Sequence, residues 1–267
     1  MPDQPRVAIV TCTAQGLGKA IALRLARDGL SIGLNDIPSK KDALDEVGRA
    51  ITSNGGRAAV FLGDVSKQED VLAIIDGTLE VLGGLHVMVA NAGIARPAPF
   101  LEETLESFNK VTSVSATGVF LCYQLAARKM IELGHREGRL IGASSIGCKQ
   151  PLRGLTSYTA AKFAVRGLTQ SAALALGTHG ITVNAYAPVV LMSLGSSVAY
   201  TDKLDDYTDL AFDMSLPFQK SSLSPLGRCG QPEEVASLVS FLASKESGFI
   251  TGELDDAISI DGGAHMD

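Results

Sequence analysis

A tyrosine and a lysine stand four residues apart, Tyr158 and Lys162, in an alanine-rich stretch (158–176) whose composition predicts a helix. That spacing puts both side chains on one helix face, one turn apart. A free phenol titrates near about 10 and is protonated at neutral pH. A cation held one turn away lowers that value, so the pair can take a proton from an alcohol oxygen or return it. Ser145, just past the apolar run 140–143, adds a hydroxyl that can hold the same oxygen. The chain has five tyrosines, so a Tyr-x-x-x-Lys pair gains weight only from its surroundings.

Those surroundings begin at Thr11-Cys12-Thr13-Ala14-Gln15-Gly16-Leu17-Gly18. The apolar run 7–10 precedes it, and a segment with Ile21, Ala22 and Leu25 on one helical face follows. Strand, glycine turn and helix in that order present free backbone N–H groups to a dinucleotide pyrophosphate, and Gly16 and Gly18 permit its close approach. Asp36 ends a second apolar run (31–34) and supplies the acid expected about twenty residues on. Its carboxylate would accept hydrogen bonds from the adenosine ribose hydroxyls and repel a 2′-phosphate. With Gln15 rather than a basic residue in the turn, NAD is expected over NADP. Lys40 and Lys41 read as a solvated helix start. Asp64 either faces the adenine or is a loop carboxylate ahead of a Ser66 cap. A nicotinamide beside the phenol would add its positive charge to that of the lysine, and the matching chemistry is hydride transfer from a carbon whose oxygen Ser145 and Tyr158 hold.

The elements that must position these groups are legible in the hydrophobic pattern. Short apolar runs at 7–10, 31–34, 59–62, 87–90, 140–143, 181–187 and 258–260 alternate with segments of helical period. A helix to about 82 should open at Ser66, with Glu69 completing a capping box. Further helices are expected over 119–133 and 158–176. The strands are apolar without alternation, as where helices cover both sheet faces, and right-handed crossovers then give one α/β domain over 1–267 with a doubly wound, seven-stranded parallel sheet. Between 188 and 231 the rhythm breaks. Tyr200, Tyr207, Phe212, Met214 and Phe218 lie there and need something to pack on, so 189–230 reads as a substrate lid rather than a disordered insert.

Composition narrows the partners. Of 267 residues, 46% are hydrophobic and 19% charged, and 29 acids against 23 lysines and arginines give a net charge of −6. That balance gives no general pull toward nucleic acid or anionic lipid. The N-terminal residues lack a basic leader, and 7–10 is too short for a signal or membrane segment, so a cytoplasmic location is expected. Cys12, Cys122, Cys148 and Cys229 form no Cys-x-x-Cys pair, which suggests neither a disulfide framework nor a zinc site, and a reducing compartment fits. His86, His135, His179 and His265 form no ligand pair and read as surface or packing residues. No metal is expected.

Taken in order, Gly16-Leu17-Gly18, Asn91-Ala92-Gly93, Ser144-Ser145, Tyr158-Thr159-Ala160-Ala161-Lys162 and Ile258-Ser259-Ile260-Asp261-Gly262-Gly263 resemble the short-chain dehydrogenase/reductase family over essentially the whole chain. The resemblance implies a Rossmann domain with Tyr158 as acid/base, Lys162 on the nicotinamide ribose and lowering the tyrosine pKa, and Ser145 orienting the substrate. It implies further cofactor contacts by Thr11, Gln15, Leu17, Asp64, Val65, Asn91, Ala92, Gly93, Pro188, Val190 and Ser193. Residues 89–95 and 142–146 are particularly similar to fungal acetoin or diacetyl reductases and polyol dehydrogenases. By the same resemblance, long helices over 108–133 and 158–176 would pair across a two-fold axis into a homodimer or homotetramer.

Three positions depart from the family pattern. Cys12 replaces the first glycine of the nucleotide motif, which places a side chain where the backbone turns toward the phosphates. Ser115 stands where an asparagine holds the water of the proton relay, and it joins the catalytic set as a shorter group that can still bind water. Val189 replaces the glycine after Pro188. Two readings follow: an NAD-dependent oxidoreductase interconverting a secondary alcohol and a ketone, or a cofactor-binding protein with little catalysis, acting as sensor or scaffold.

Overall fold

The structure, a computed structural model, describes residues 5–188, 224–253 and 258–263. Seven strands form one parallel sheet: β1 (Val7–Thr11), β2 (Ser31–Asp36), β3 (Ala58–Leu62), β4 (Val87–Ala90), β5 (Arg139–Ala143), β6 (Thr182–Pro188) and β7 (Ile258–Ile260), in the order β3-β2-β1-β4-β5-β6-β7. Chain order reverses between β1 and β4, where Ile9 pairs with Met88 and Val10 with Val89. In open α/β sheets that point leaves a crevice beyond the carboxyl ends of the strands, and ligands bind there.

The helices are α1 (Gly16–Arg27), α2 (Lys41–Ser53), α3 (Gln68–Leu82), α4 (Leu105–Thr112), α5 (Gly118–Glu132), α6 (Thr156–Leu176) and α7 (Pro232–Ala243). Because successive strand residues point to opposite faces, the sheet divides the core into two layers. Ile9, Met88, Leu140 and Val183 pack with α3, α5 and α6. Ala8, Val10, Val87, Val89, Ile141 and Tyr186 pack with α1, α2 and α7. Ile9, Ile21, Leu25, Leu34 and Met88 are at most 1% exposed, and each such burial contributes about 1.5–3 kcal/mol. The expected architecture is the observed one.

Two local expectations change. Helix α3 begins at Gln68, not at a Ser66 cap. The N–H and hydroxyl of Ser66 both donate to the Asp64 carboxylate, at 3.0 and 2.7 Å, so the serine is engaged behind the helix rather than with Glu69. The helix expected from 108 instead starts at Leu105, where the Thr104 hydroxyl accepts the Ser107 N–H at 3.1 Å. It then passes through one π-helical turn, Ser113–Thr117, before continuing as α5. Of the lid expected over 189–230, residues 189–223 lie outside the described residues, and with them Val189, Val190, Ser193, Tyr200, Tyr207, Phe212, Met214 and Phe218. Among the described residues, no helix is long and apolar enough to cross a membrane.

Candidate active site

The turn after β1 holds a side chain in a glycine conformation. Cys12 has φ +58°, the one positive φ among the described non-glycine residues. A left-handed residue with a Cβ costs roughly 1–2 kcal/mol, so neighbours must hold it. Asn91, just beyond β4, does so: its Nδ2 donates to the carbonyls of Thr11 at 2.9 Å and Cys12 at 3.4 Å. The Thr11 hydroxyl in turn accepts the N–H groups of Asn91 at 3.0 Å and Ala92 at 2.9 Å.

Both glycines of the motif are needed, for different reasons. Gly16 has φ +58°, and a Cβ there would meet open space. A Cβ on Gly18 would lie 2.0 Å from the Cys12 carbonyl oxygen and 2.7 Å from Asn91 Nδ2. Gln15 stands extended at the N-cap of α1 without capping it, and the first turn carries no acid. The helix start therefore has backbone donors that no side chain of the cap satisfies, the arrangement that suits a phosphate.

Asp36 faces this turn. Its carboxylate accepts the N–H of Ala14 at 3.0 Å and of Ile37 at 2.9 Å. The Cys12 thiol also hydrogen-bonds to it, and burial first, then the Asp36 charge, push that thiol up to about 12. The cysteine is thus a neutral thiol and not a nucleophile. Lys40 corrects an expectation: its Nζ donates to Gln15 Oε1 at 3.5 Å, bringing an ammonium to the rim of the turn. Only Lys41 behaves as a solvated helix start, paired with Asp45 one turn on.

Asp64 is held in its own loop. Burial alone would raise its pKa, but the two bonds from Ser66 and the Lys110 ammonium at 3.5 Å hold it below the usual carboxylate range. Val65 is 5% exposed and abuts the start of α5, where a Cβ on Gly118 would lie 2.9 Å from Val65 Cγ2.

At the other end of the crevice, α6 begins at Thr156 and carries Tyr158 and Lys162 in its first two turns. The Lys162 ammonium lies 5.3 Å from the centre of the Tyr158 ring and donates to the Ala143 carbonyl at 2.8 Å. Lys162 is 3% exposed, and burial pushes its pKa down to about 8. Tyr158 is partly exposed as a side chain, but its hydroxyl end is enclosed. Burial raises its pKa, and a hydrogen bond with Ser145 opposes the rise. In the chain alone desolvation, not the lysine charge, sets the direction of the shift. Ser145 caps the short turn after β5, accepting the Gly147 N–H at 3.1 Å.

Ser115 sits in the π-helical turn and is fully buried. Its hydroxyl donates to the Ile94 carbonyl and accepts the Ile94 N–H, both at 3.0 Å. It pins the loop after β4, so that a Cβ on Gly93 would meet Lys162 Nζ at 3.3 Å and Ser115 Oγ at 3.5 Å. Pro188 closes β6, paired with Ile260.

The structure thus brings Ser145, Tyr158, Lys162, Ser115 and Gly93 into one group, and Thr11, Gln15, Gly16, Gly18, Asp36, Asn91 and Ala92 into a second. Leu17 is partly buried in the first turn of α1, packed on the layer that supports it. Two neighbours are not apparent in the motifs. Tyr186, on β6, donates from its hydroxyl to Asn91 Oδ1 at 2.7 Å. Cys148 lies buried close enough to Tyr158 and Lys162 to act electrostatically on both. A polar phenol within an apolar strand was the available signal for Tyr186.

Comparison with known proteins settles the family. A family model described as enoyl-(acyl carrier protein) reductase matches residues 12–265. The chain belongs to the short-chain dehydrogenase/reductase family. A short-chain dehydrogenase/reductase of Armillaria gallica is 43% identical over 99% of this chain and 98% of its own. An L-2,3-butanediol dehydrogenase of Corynebacterium glutamicum is 40% identical over 97% of this chain and 98% of its own. The crystal structure of an acetoin dehydrogenase from Salmonella typhimurium superposes with TM-score 0.82 at 34% identity, covering 97% of this chain and 95% of that one. This short-chain dehydrogenase/reductase is accordingly an oxidoreductase.

Proposed function

We propose that this oxidoreductase interconverts a secondary alcohol and a ketone with NAD(H), and that Tyr158 is its acid/base. The observation that carries the reading is the grouping of Ser145, Tyr158 and Lys162 beside the glycine turn that faces Asp36. The donors at the start of α1 fit a pyrophosphate, and Asp36 and Gln15 stand where an adenosine ribose would lie. Lys162 would hold the nicotinamide ribose, with Pro188 nearer the ring and Asp64 and Val65 toward the adenine. When bound, the nicotinamide supplies the hydride acceptor or donor.

The chain's own residues would handle the oxygen. Ser145 donates a hydrogen bond to the substrate oxygen and fixes its distance from the phenol. Tyr158 holds a proton at its hydroxyl and gives it to that oxygen in reduction, or takes it in oxidation. Lys162 keeps a positive charge near the ring while anchored to the Ala143 carbonyl, which favours the phenolate when it forms. Ser115 keeps the Gly93–Ile94 backbone in place. The relatives named for butanediol and acetoin support vicinal diols and hydroxyketones as the first substrates to test.

Lys40 favours a second cofactor. An ammonium reaching Gln15 could neutralise a 2′-phosphate despite Asp36. Titration with NADH and NADPH, paired with turnover of diacetyl, acetoin and 2,3-butanediol, tests both. Tighter NADH binding with turnover supports the NAD reading. Tighter NADPH binding overturns the cofactor choice, and binding without turnover of any compound favours a non-catalytic binding protein.

Assembly belongs to the same proposal. Phe120 on α5 and Phe163 and Leu174 on α6 are 40%, 42% and 87% exposed, apolar surface suited to a two-fold contact between copies. Light scattering at micromolar concentration should give a dimer or tetramer, and a monomer would refute it.

A further inference from the structure

We infer that Tyr186 is a positioning residue for the cofactor turn: its buried hydroxyl fixes the amide of Asn91, and that amide holds the Cys12 backbone in the shape a dinucleotide needs. The inference rests on the reading of this crevice as a nicotinamide-dinucleotide site.

The chain of contacts is continuous. Tyr186 lies on β6, between β5 and the edge strand β7, paired with Ala143 on one side and Ile258 on the other, and is fully buried. Its hydroxyl donates to Asn91 Oδ1 at 2.7 Å. The other end of that amide donates to the carbonyls of Thr11 and Cys12. A flipped amide would set its oxygen against two carbonyl oxygens, so those carbonyls select the orientation. In that orientation the phenol is the donor that satisfies Asn91 Oδ1, which would otherwise be left unpaired. Burial keeps the Tyr186 hydroxyl protonated far above the ordinary phenol range, so the donor is permanent.

Cys12 explains why this turn needs a clamp. A glycine at φ +58° rests there freely, whereas a cysteine does so only when its surroundings hold it. The Cys12 carbonyl that Asn91 binds is also the atom that a Cβ on Gly18 would strike. Release of Asn91 would therefore let the strained turn relax and move the start of α1, where the pyrophosphate is expected.

Removing the hydroxyl while keeping the ring isolates this role. The purified full-length protein and its Tyr186→Phe, Cys12→Gly and double variants are titrated with NADH by nicotinamide fluorescence, alongside kcat and cofactor KM with diacetyl. Tyr186→Phe should raise the NADH Kd and cofactor KM about tenfold, the scale of one orphaned buried polar group, with a much smaller change in kcat at saturating cofactor. In the Cys12→Gly background the same change should cost less than about twofold, because glycine needs no clamp there.

Equal losses in both backgrounds, or an unchanged Kd in Tyr186→Phe, overturn the inference. If Tyr186→Phe does not fold by circular dichroism, Asn91→Asp takes its place under the same criterion. Wild-type protein that binds neither NADH nor NADPH overturns the cofactor reading and this inference together. Binding by the wild type without coupling between the two positions overturns this inference alone.

Discussion

Lys162 places its ammonium over the ring of Tyr158, 5.3 Å from the centroid. The cation is close enough for a cation–π attraction, and its hydrogen bond goes to the strand end at Ala143. The tyrosine hydroxyl is left to Ser145. Division of labour between a buried charge and a hydroxyl partner follows from that geometry, and each part can be removed separately.

Tyr158→Phe removes the proposed proton carrier and little else. Turnover should fall by ~10²–10⁴-fold, while the NADH Kd changes by less than about threefold. Retained turnover in this variant would end the assignment of Tyr158 as acid/base.

Lys162→Met should give an inactive protein that is more stable at pH 7. Burial holds the lysine pKa at about 8 against an ordinary 10.5. Between those values the unfolded chain binds the proton and the folded chain does not, so stability rises with pH from about 8 to 10.5 and the full penalty applies below 8. That penalty is on the order of 3 kcal/mol, partly offset by the carbonyl of Ala143 left without its donor, about 1–3 kcal/mol. A gain of about 3 °C in Tm at pH 7 is expected, with no rise above pH 8 in the variant. A lower Tm in Lys162→Met, measured without cofactor, would show that the hydrogen bond outweighs the burial.

His86 sets an acid limit at the opposite end of the sheet. Its Nδ1 accepts the Val7 N–H at 3.1 Å, and its ring centre lies 4.2 Å from that of His135. Burial, with His135 and Arg6 nearby, pushes its pKa from 6.5 to about 4. Here the depressed value means that stability is complete above pH 6.5 and is lost as pH falls toward 4, where the unfolded chain binds the extra proton. The urea midpoint should drop between pH 7 and pH 5, and His86→Gln, which cannot titrate, should drop less. Parallel pH curves for the two proteins would exclude His86 as the cause.

Two alanine substitutions in the glycine turn should differ sharply. Gly18→Ala sets a Cβ 2.0 Å from the Cys12 carbonyl oxygen, so the turn must shift, with loss of NADH affinity beyond about tenfold and a lower Tm. Gly16→Ala meets no atom and carries only the strain of φ +58°, about 1 kcal/mol. Isothermal titration and thermal melts on both check the contrast, and equal effects would mean that Gly18 is not the close contact.

The seven-stranded parallel sheet and the residues of both groups were readable because each strand is a short apolar run and each motif sits at a strand end. Asp36 and Tyr158 needed only their positions along that pattern. What the pattern could not show is competition between polar partners. Ser66 looked like a cap, yet Asp64 two residues earlier takes its hydroxyl and N–H. Lys40 looked solvated, yet its long side chain reaches the turn. Tyr186 lies 95 residues from Asn91, a separation that no local pattern encodes.

The glycine turn and the helix that carries Tyr158 and Lys162 are anchored in different halves of the interior: α1 leans on one side of the sheet with α2 and α7, α6 on the other with α3 and α5. Interior damage should therefore be selective. A cavity opened beneath Ile21 or Leu25 loosens the grip on the dinucleotide and spares the chemistry, whereas one beneath Val165 disorders the chemistry and leaves the grip intact. Randomly acquired lesions in this enzyme would sort into binders that do not react and reactors that bind poorly, according to the side of the sheet they strike.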